Sequence, residues 1–122
     1  MNKLVKTVTN DTLILEFLKS LNGILNITDR EMELLAKLVE LDMKYDSALD
    51  ESKNVCSTKN RKLIKQELGI TPDNLSRYIS RFKNKGILVK GKADDEMYVN
   101  KALIPEIIKD RVQLTLIFKI QQ

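Results

Sequence analysis

The chain has 122 residues, is 43% hydrophobic and 31% charged, and carries a formal net charge of +4, the profile of one globular domain rather than a disordered segment. It contains no histidine and a single cysteine, Cys56. That excludes, within one chain, histidine-dependent acid–base or nucleophilic chemistry, His-ligated zinc, an internal disulfide and a cysteine metal cluster.

No apolar run approaches the roughly 20 residues needed to cross a bilayer. Met1 to Lys6 leads into Thr and Asn rather than an apolar signal core. The expectation is therefore a cytoplasmic protein (host cytoplasm or virion, if phage-encoded) with no membrane contact, cofactor or metal, and not an enzyme. The net charge hides an asymmetry. Between Ser57 and Lys92 ten Lys/Arg face only Glu67 and Asp73, a local +8, which leaves the remaining eleven basic and fifteen acidic residues at −4. A local excess of positive charge suits a polyanion, because phosphate contacts release condensed counterions.

Taken in chain order, Lys3 to Thr9 alternates weakly and reads as a short edge strand. Leu13, Ile14, Phe17, Leu18 and Leu21 then recur at helical spacing, predicting an amphipathic helix over 11–22, with Gly23 placed to take the left-handed residue beyond its end. Thr28-Asp29-Arg30-Glu31 is a capping box and opens a helix to about Tyr45. Its apolar face carries Met32, Leu34, Leu35, Leu38, Val39 and Leu41. Glu33–Lys37 and Glu40–Lys44, acid first at i,i+4, read as a solvated opposite face. Asp46 to Val55 loses periodicity and reads as a polar loop, longer than most connections in a compact domain.

Ser57 or Thr58 caps a short helix from Lys59 to Leu68 whose inner face is Leu63, Ile64 and Leu68. Gly69-Ile70-Thr71-Pro72 makes a tight turn in which Gly69 accepts positive φ, Ile70 plugs the corner, Thr71 caps and Pro72 begins the next helix. That helix runs to about Lys85, with Leu75, Ile79 and Phe82 inward, and Gly86 ends it. Two helices joined by so short a turn form a helix-turn-helix, whose second helix can lie in the major groove. Its outer face carries Asn74, Ser76, Arg77, Ser80 and Arg81, residue types that pair with base edges and phosphates. Tyr78 and Lys83 lie at its flank, and Asp73 is its single acid, near the N-terminus.

Ile87 to Lys90, a Gly/Asp-rich turn, and Glu96 to Asn100 predict a hairpin. Lys90 and Lys92 are placed to reach phosphates; the neighbouring Asp94, Asp95 and Glu96 oppose such contact. Ile104 to Ile108 predicts a short helix or turn beginning at Pro105. Arg111 to Ile120 alternates, with Val112, Leu114, Leu116, Phe118 and Ile120 on one side, and predicts a strand.

The stretch from Arg61 to Ile79, with Leu68-Gly69-Ile70-Thr71, Leu75-Ser76-Arg77-Tyr78-Ile79 and then Lys85-Gly86-Ile87-Leu88, resembles the winged helix-turn-helix of MarR-like regulators and of phage and plasmid replication proteins. The resemblance implies an α+β, mainly α, fold: a winged core over 28–100, with its helix-turn-helix at 57–86 and wing at 87–100. An extension of residues 1–27 precedes that core, and a C-terminal helix or turn and strand over 101–122 follow it. It also implies double-stranded DNA binding through Asn74, Ser76, Arg77, Ser80 and Arg81; with the basic Lys59, Lys83, Lys90 and Lys92 added as expected contacts, the whole chain reads as a single domain. Homodimerisation or assembly through the 111–120 strand or the 11–22 helix is the accompanying expectation. The competing reading is an adaptor or structural protein that uses the same fold for protein–protein contacts, for instance in a phage particle.

Overall fold

The computed structural model describes residues 3–45 and 53–122. They form an α+β, mainly helical unit in the order α1 (Leu13–Ser20), α2 (Asn22–Leu25), α3 (Asp29–Met43), α4 (Thr58–Leu68), α5 (Pro72–Asn84), β1 (Leu88–Lys90), β2 (Met97–Val99) and a 3₁₀ turn (Lys101–Leu103). Most of the polar loop predicted over 46–55 lies outside the described residues.

Helix α3 organises the core. Leu34, Leu35, Leu38 and Val39 are fully buried, and α1, α4 and β2 all pack on it. Burying each such side chain stabilises the fold by about 1.5–3 kcal/mol. The capping box forms as predicted: the Thr28 hydroxyl accepts from the Glu31 N–H at 3.2 Å, and Glu31 Oε1 accepts from the Thr28 N–H at 3.0 Å.

The expected solvated face of this helix is only partly so. Glu40 pairs with Lys44 at 2.8 Å as anticipated, which lowers the Glu40 pKa and raises that of Lys44. Glu33 instead pairs with Arg30, and Lys37 reaches across to Glu67 on α4. Arg30 also donates to the carbonyl of Leu68, one of the acceptors left over at the end of α4. The i,i+4 rule describes an isolated helix, and here the neighbouring helix offers Lys37 a better partner.

Asp42, the other polar residue buried on α3, does more. Its Oδ1 meets Lys53 Nζ at 2.5 Å and its Oδ2 accepts the Val99 N–H at 2.9 Å. One carboxylate thus pins β2 to α3. The Lys53 ammonium also lies 5.3 Å and 5.8 Å from the ring centres of Tyr45 and Tyr98, within cation–π range.

Strands β1 and β2 are antiparallel with Leu88 opposite Val99, Val89 opposite Tyr98 and Lys90 opposite Met97. A third segment adds to this hairpin. Met97 N–H donates to Lys53 O at 2.8 Å and Val55 N–H to Met97 O at 3.0 Å, a parallel bridge between Asn54 and Met97. A single bridge has no periodic signature, so the alternation test cannot find it. In the turn, Gly91 sits where a Cβ would collide with the Glu96 side chain and the Tyr98 hydroxyl. Those two are bonded to each other at 3.3 Å, so the close approach requires glycine.

Four expectations fail at the two ends of the chain. Gly23 lies inside α2, and Asn26, at φ 51°, takes the left-handed position instead. Asn22 closes that corner with its side chain, donating to Ile27 O and accepting from Ile27 N. The turn near Pro105 is a 3₁₀ turn that precedes the proline, held by Asn100 Oδ1 accepting from the Ala102 N–H at 3.0 Å. Neither 3–9 nor 111–120 is a strand. Beyond the Ile108–Arg111 bridge no backbone hydrogen bond involves 112–122 among the described residues. Alternation supplies a face, but a strand also needs a neighbour with free backbone groups, and among the described residues neither segment pairs with one.

Candidate nucleic-acid interface

Helix α4 begins with Ser57, whose hydroxyl accepts from the Asn60 N–H at 3.2 Å. The start of α4 is then tied to the preceding segment: Asn60 donates to the carbonyls of Asn54 and Val55, and Arg61 Nε donates to that of Cys56 at 2.9 Å. At the other end Gly69 adopts φ 64° and its N–H closes on Lys65 O. A side chain there would be strained, so glycine sets the angle between α4 and α5. Ile70 is buried in the corner, Thr71 accepts from the Asn74 N–H at 3.3 Å, and Pro72 occupies the first turn.

Leu75, Ile79 and Phe82 face the core. At 100° per residue the opposite stripe is Asp73, Arg77, Ser80 and Asn84, and of these all are exposed. Asn84 was not singled out from sequence; its i+7 spacing from Arg77 is the signal that places it. One flank carries Ser76 and Lys83, also exposed.

The other flank turns back onto the fold. Arg81 Nε lies 2.9 Å from Oε2 of the buried Glu31. That oxygen accepts no well-directed hydrogen bond, so the attraction is that of an ion pair rather than a shared proton. Lys85 Nζ donates at 2.9 Å to the carbonyls of both Leu25 and Asn26, capping the end of α2. Arg81, expected as a DNA contact, is thus also the strut between α5 and the N-terminus of α3. Asn74 is half-buried, and its Oδ1 accepts from Arg77 Nη2 at 2.7 Å, while the Arg77 guanidinium lies 5.8 Å from the Tyr78 ring. Arg77 is thereby pre-positioned along the outer stripe.

The remaining expected contacts divide by location. Lys90 ends β1 and Lys92 lies on the turn, both exposed. Lys59 is elsewhere: it lines a separate depression with Lys44, Tyr45, Lys53, Asn60, Leu63 and Asp95, between the end of α3 and the start of α4. Cys56 is buried, and desolvation pushes its thiol up to about 11, against a smaller downward pull from Arg61 and Lys83. Burial and the raised pKa both disfavour the reactive thiolate. Among the described residues no three His, Cys, Asp or Glu side chains converge on a metal position, and no helix is long and apolar enough to cross a membrane.

Comparison with family models, curated proteins and solved structures finds no match. The functional reading therefore rests on the residues themselves.

Proposed function

We propose that this chain is a non-enzymatic, double-stranded-DNA-binding protein of the winged helix-turn-helix type, a transcriptional regulator or replication accessory factor of phage or plasmid character. In this reading α5 lies in the major groove. Arg77, with Ser76, Ser80 and Asn84, meets base edges and phosphates; Lys83, Lys90 and Lys92 meet the backbone. Arg81 acts chiefly by holding α5 to Glu31, and Lys59 lies in the depression that reaches the hairpin turn at Asp95.

The observation that carries the reading is the outer stripe of α5. After Asp73 it holds no carboxylate, and its arginine is braced by Asn74 rather than neutralised by an acid. A merely solvated helix of this charge would carry i,i+4 Glu–Lys pairs of the kind Glu40 and Lys44 form on α3. The hairpin behind α5 supports the wing assignment, and residues 53–55 add a single parallel bridge beside β2.

The test is fluorescence anisotropy with random duplex DNA across a salt titration. The expected result is binding that weakens steeply with salt, with a log–log slope of about −0.9 per phosphate neutralised. Absence of binding at low salt would overturn the proposal. It would favour instead the adaptor reading, for which the exposed Asp94 and Asp95 at the hairpin turn are the motivating observation.

A further inference from the structure

We propose that residues 112–120 form an antiparallel ribbon with the same segment of a second copy of this chain, paired about Leu116. The proposal is independent of DNA binding. Between Arg111 and Lys119 the chain has seven uncharged residues, Val112 to Phe118, without Gly or Pro and rich in β-branched and aromatic types. Leu114 and Leu116 are 40% and 43% exposed, while Ile117, Phe118 and Ile120 are 76–86% exposed. Ile24, which lines the depression beside Leu114 and Leu116, and Ile107 and Ile108 are 53–64% exposed, so the apolar side chains left to solvent cluster along the C-terminal segment rather than being scattered singly.

A second copy fits because the segment complements itself. Directly opposite residues in an antiparallel pair lie on the same face, so two copies join apolar face to apolar face only when opposed positions share parity. Charge then selects among those registers. Pairing about Thr115 would set Arg111 against Lys119, and pairing about Leu114 would set Lys109 against Lys119. Pairing about Leu116 sets Leu114 against Phe118, Val112 against Ile120, Arg111 against Gln121 and Lys119 against Gln113. It joins every apolar pair and opposes no like charges.

A two-stranded ribbon alone is marginal in water and needs a layer to lie on. That layer is present. Leu114 and Leu116 already line a depression of about 370 Å³ with Leu21, Ile24 and Leu25 from the α1–α2 corner and Leu103 from the 3₁₀ turn. In the ribbon the partner's Phe118, opposite Leu114, enters the same depression. The two-fold axis through Leu116 then gives each protomer the same contact.

The test is cross-linking with light scattering on the full chain. In a Cys56→Ala background, Leu116→Cys puts two thiols across the axis at about 4.5–5.5 Å between Cα atoms, within disulfide reach. Thr115→Cys puts them about 7–8 Å apart, beyond it. The expected result is a wild-type species of twice the 14.0 kDa chain mass, with oxidation joining Leu116→Cys at least tenfold faster than Thr115→Cys. Gln113→Glu, opposite Lys119, is expected to tighten self-association, and Leu116→Lys to weaken it about tenfold or more, far-UV circular dichroism being unchanged in both. A monomer at all concentrations, open-ended polymers, or faster cross-linking at position 115 would each overturn the proposal.

Discussion

Helices α3 and α5 are of similar length, 15 and 13 residues, and each buries a row of large apolar side chains. They use their polar residues in opposite ways. On α3 they are spent inside the molecule: Glu31 meets Arg81, Asp42 holds Lys53 and the Val99 N–H, and Lys37 meets Glu67. On α5 the outer stripe of Asp73, Arg77, Ser80 and Asn84 is exposed, with Arg77 braced by Asn74 and set beside the Tyr78 ring. A helix whose charges are consumed by its neighbours is a scaffold. A helix that leaves its arginine braced and outward is available to a polyanion. Arg81 belongs to both helices, which is why it tests the distinction.

The largest expected effect is on the scaffold side. Asp42→Ala removes the acceptor of a buried N–H and the partner of Lys53, and is expected to destabilise the fold by about 3–5 kcal/mol. In urea unfolding that is a large part of the roughly 5–15 kcal/mol of a typical domain. A midpoint close to wild type would show that β2 is held by other means.

Arg77→Ala sharpens the other side. DNA affinity is expected to fall by about 1–3 kcal/mol, roughly five- to a hundredfold, with the thermal midpoint within about a degree of wild type. Loss of stability instead would make α5 a second scaffold and dissolve the comparison.

Arg81→Ala is expected to cost about 1–2 kcal/mol of stability, since the guanidinium is half-exposed while Glu31 is buried. Adding Glu31→Gln is expected to recover part of that loss, because the buried charge left unpaired is then gone; a double-mutant cycle measures it. Additive costs would mean the two groups do not interact.

The smallest effect is alkaline. The Cys56 thiol keeps its proton to about pH 11 in the folded chain, whereas an unfolded cysteine loses it near about 8.5. Between those values the unfolded state binds fewer protons, so stability falls as pH rises. Cys56→Ala is expected to flatten that decline, read as a smaller difference between unfolding midpoints at pH 8 and pH 10.5. An unchanged slope would assign the decline to other groups.

Local signals were legible in the residues. The Thr28–Glu31 capping box, the Ser57 and Thr71 caps, Gly69, Pro72 and the Leu75–Ile79–Phe82 row all act within a few positions of themselves, and each is found where its pattern puts it. The outer stripe of α5 follows from the same row by geometry. What pairs with what was not legible. Lys37 chooses Glu67 over Glu33, Arg81 turns to Glu31, Lys59 lines the depression between α3, α4 and the hairpin turn, and residues 53–55 bridge to β2.

The alternation at 111–120 marks the limit most clearly. A period of two states which side chains would share a face if the segment were a strand. Whether that face becomes a strand depends on a second row of backbone donors and acceptors, and among the described residues this chain supplies none beside it. The chain alone determined α3, α4 and α5 with their caps and the tight turn at Gly69, because those are satisfied by neighbours in sequence. Only the tertiary structure decided which charges are consumed and which remain, because ion pairs form between residues brought together by the core.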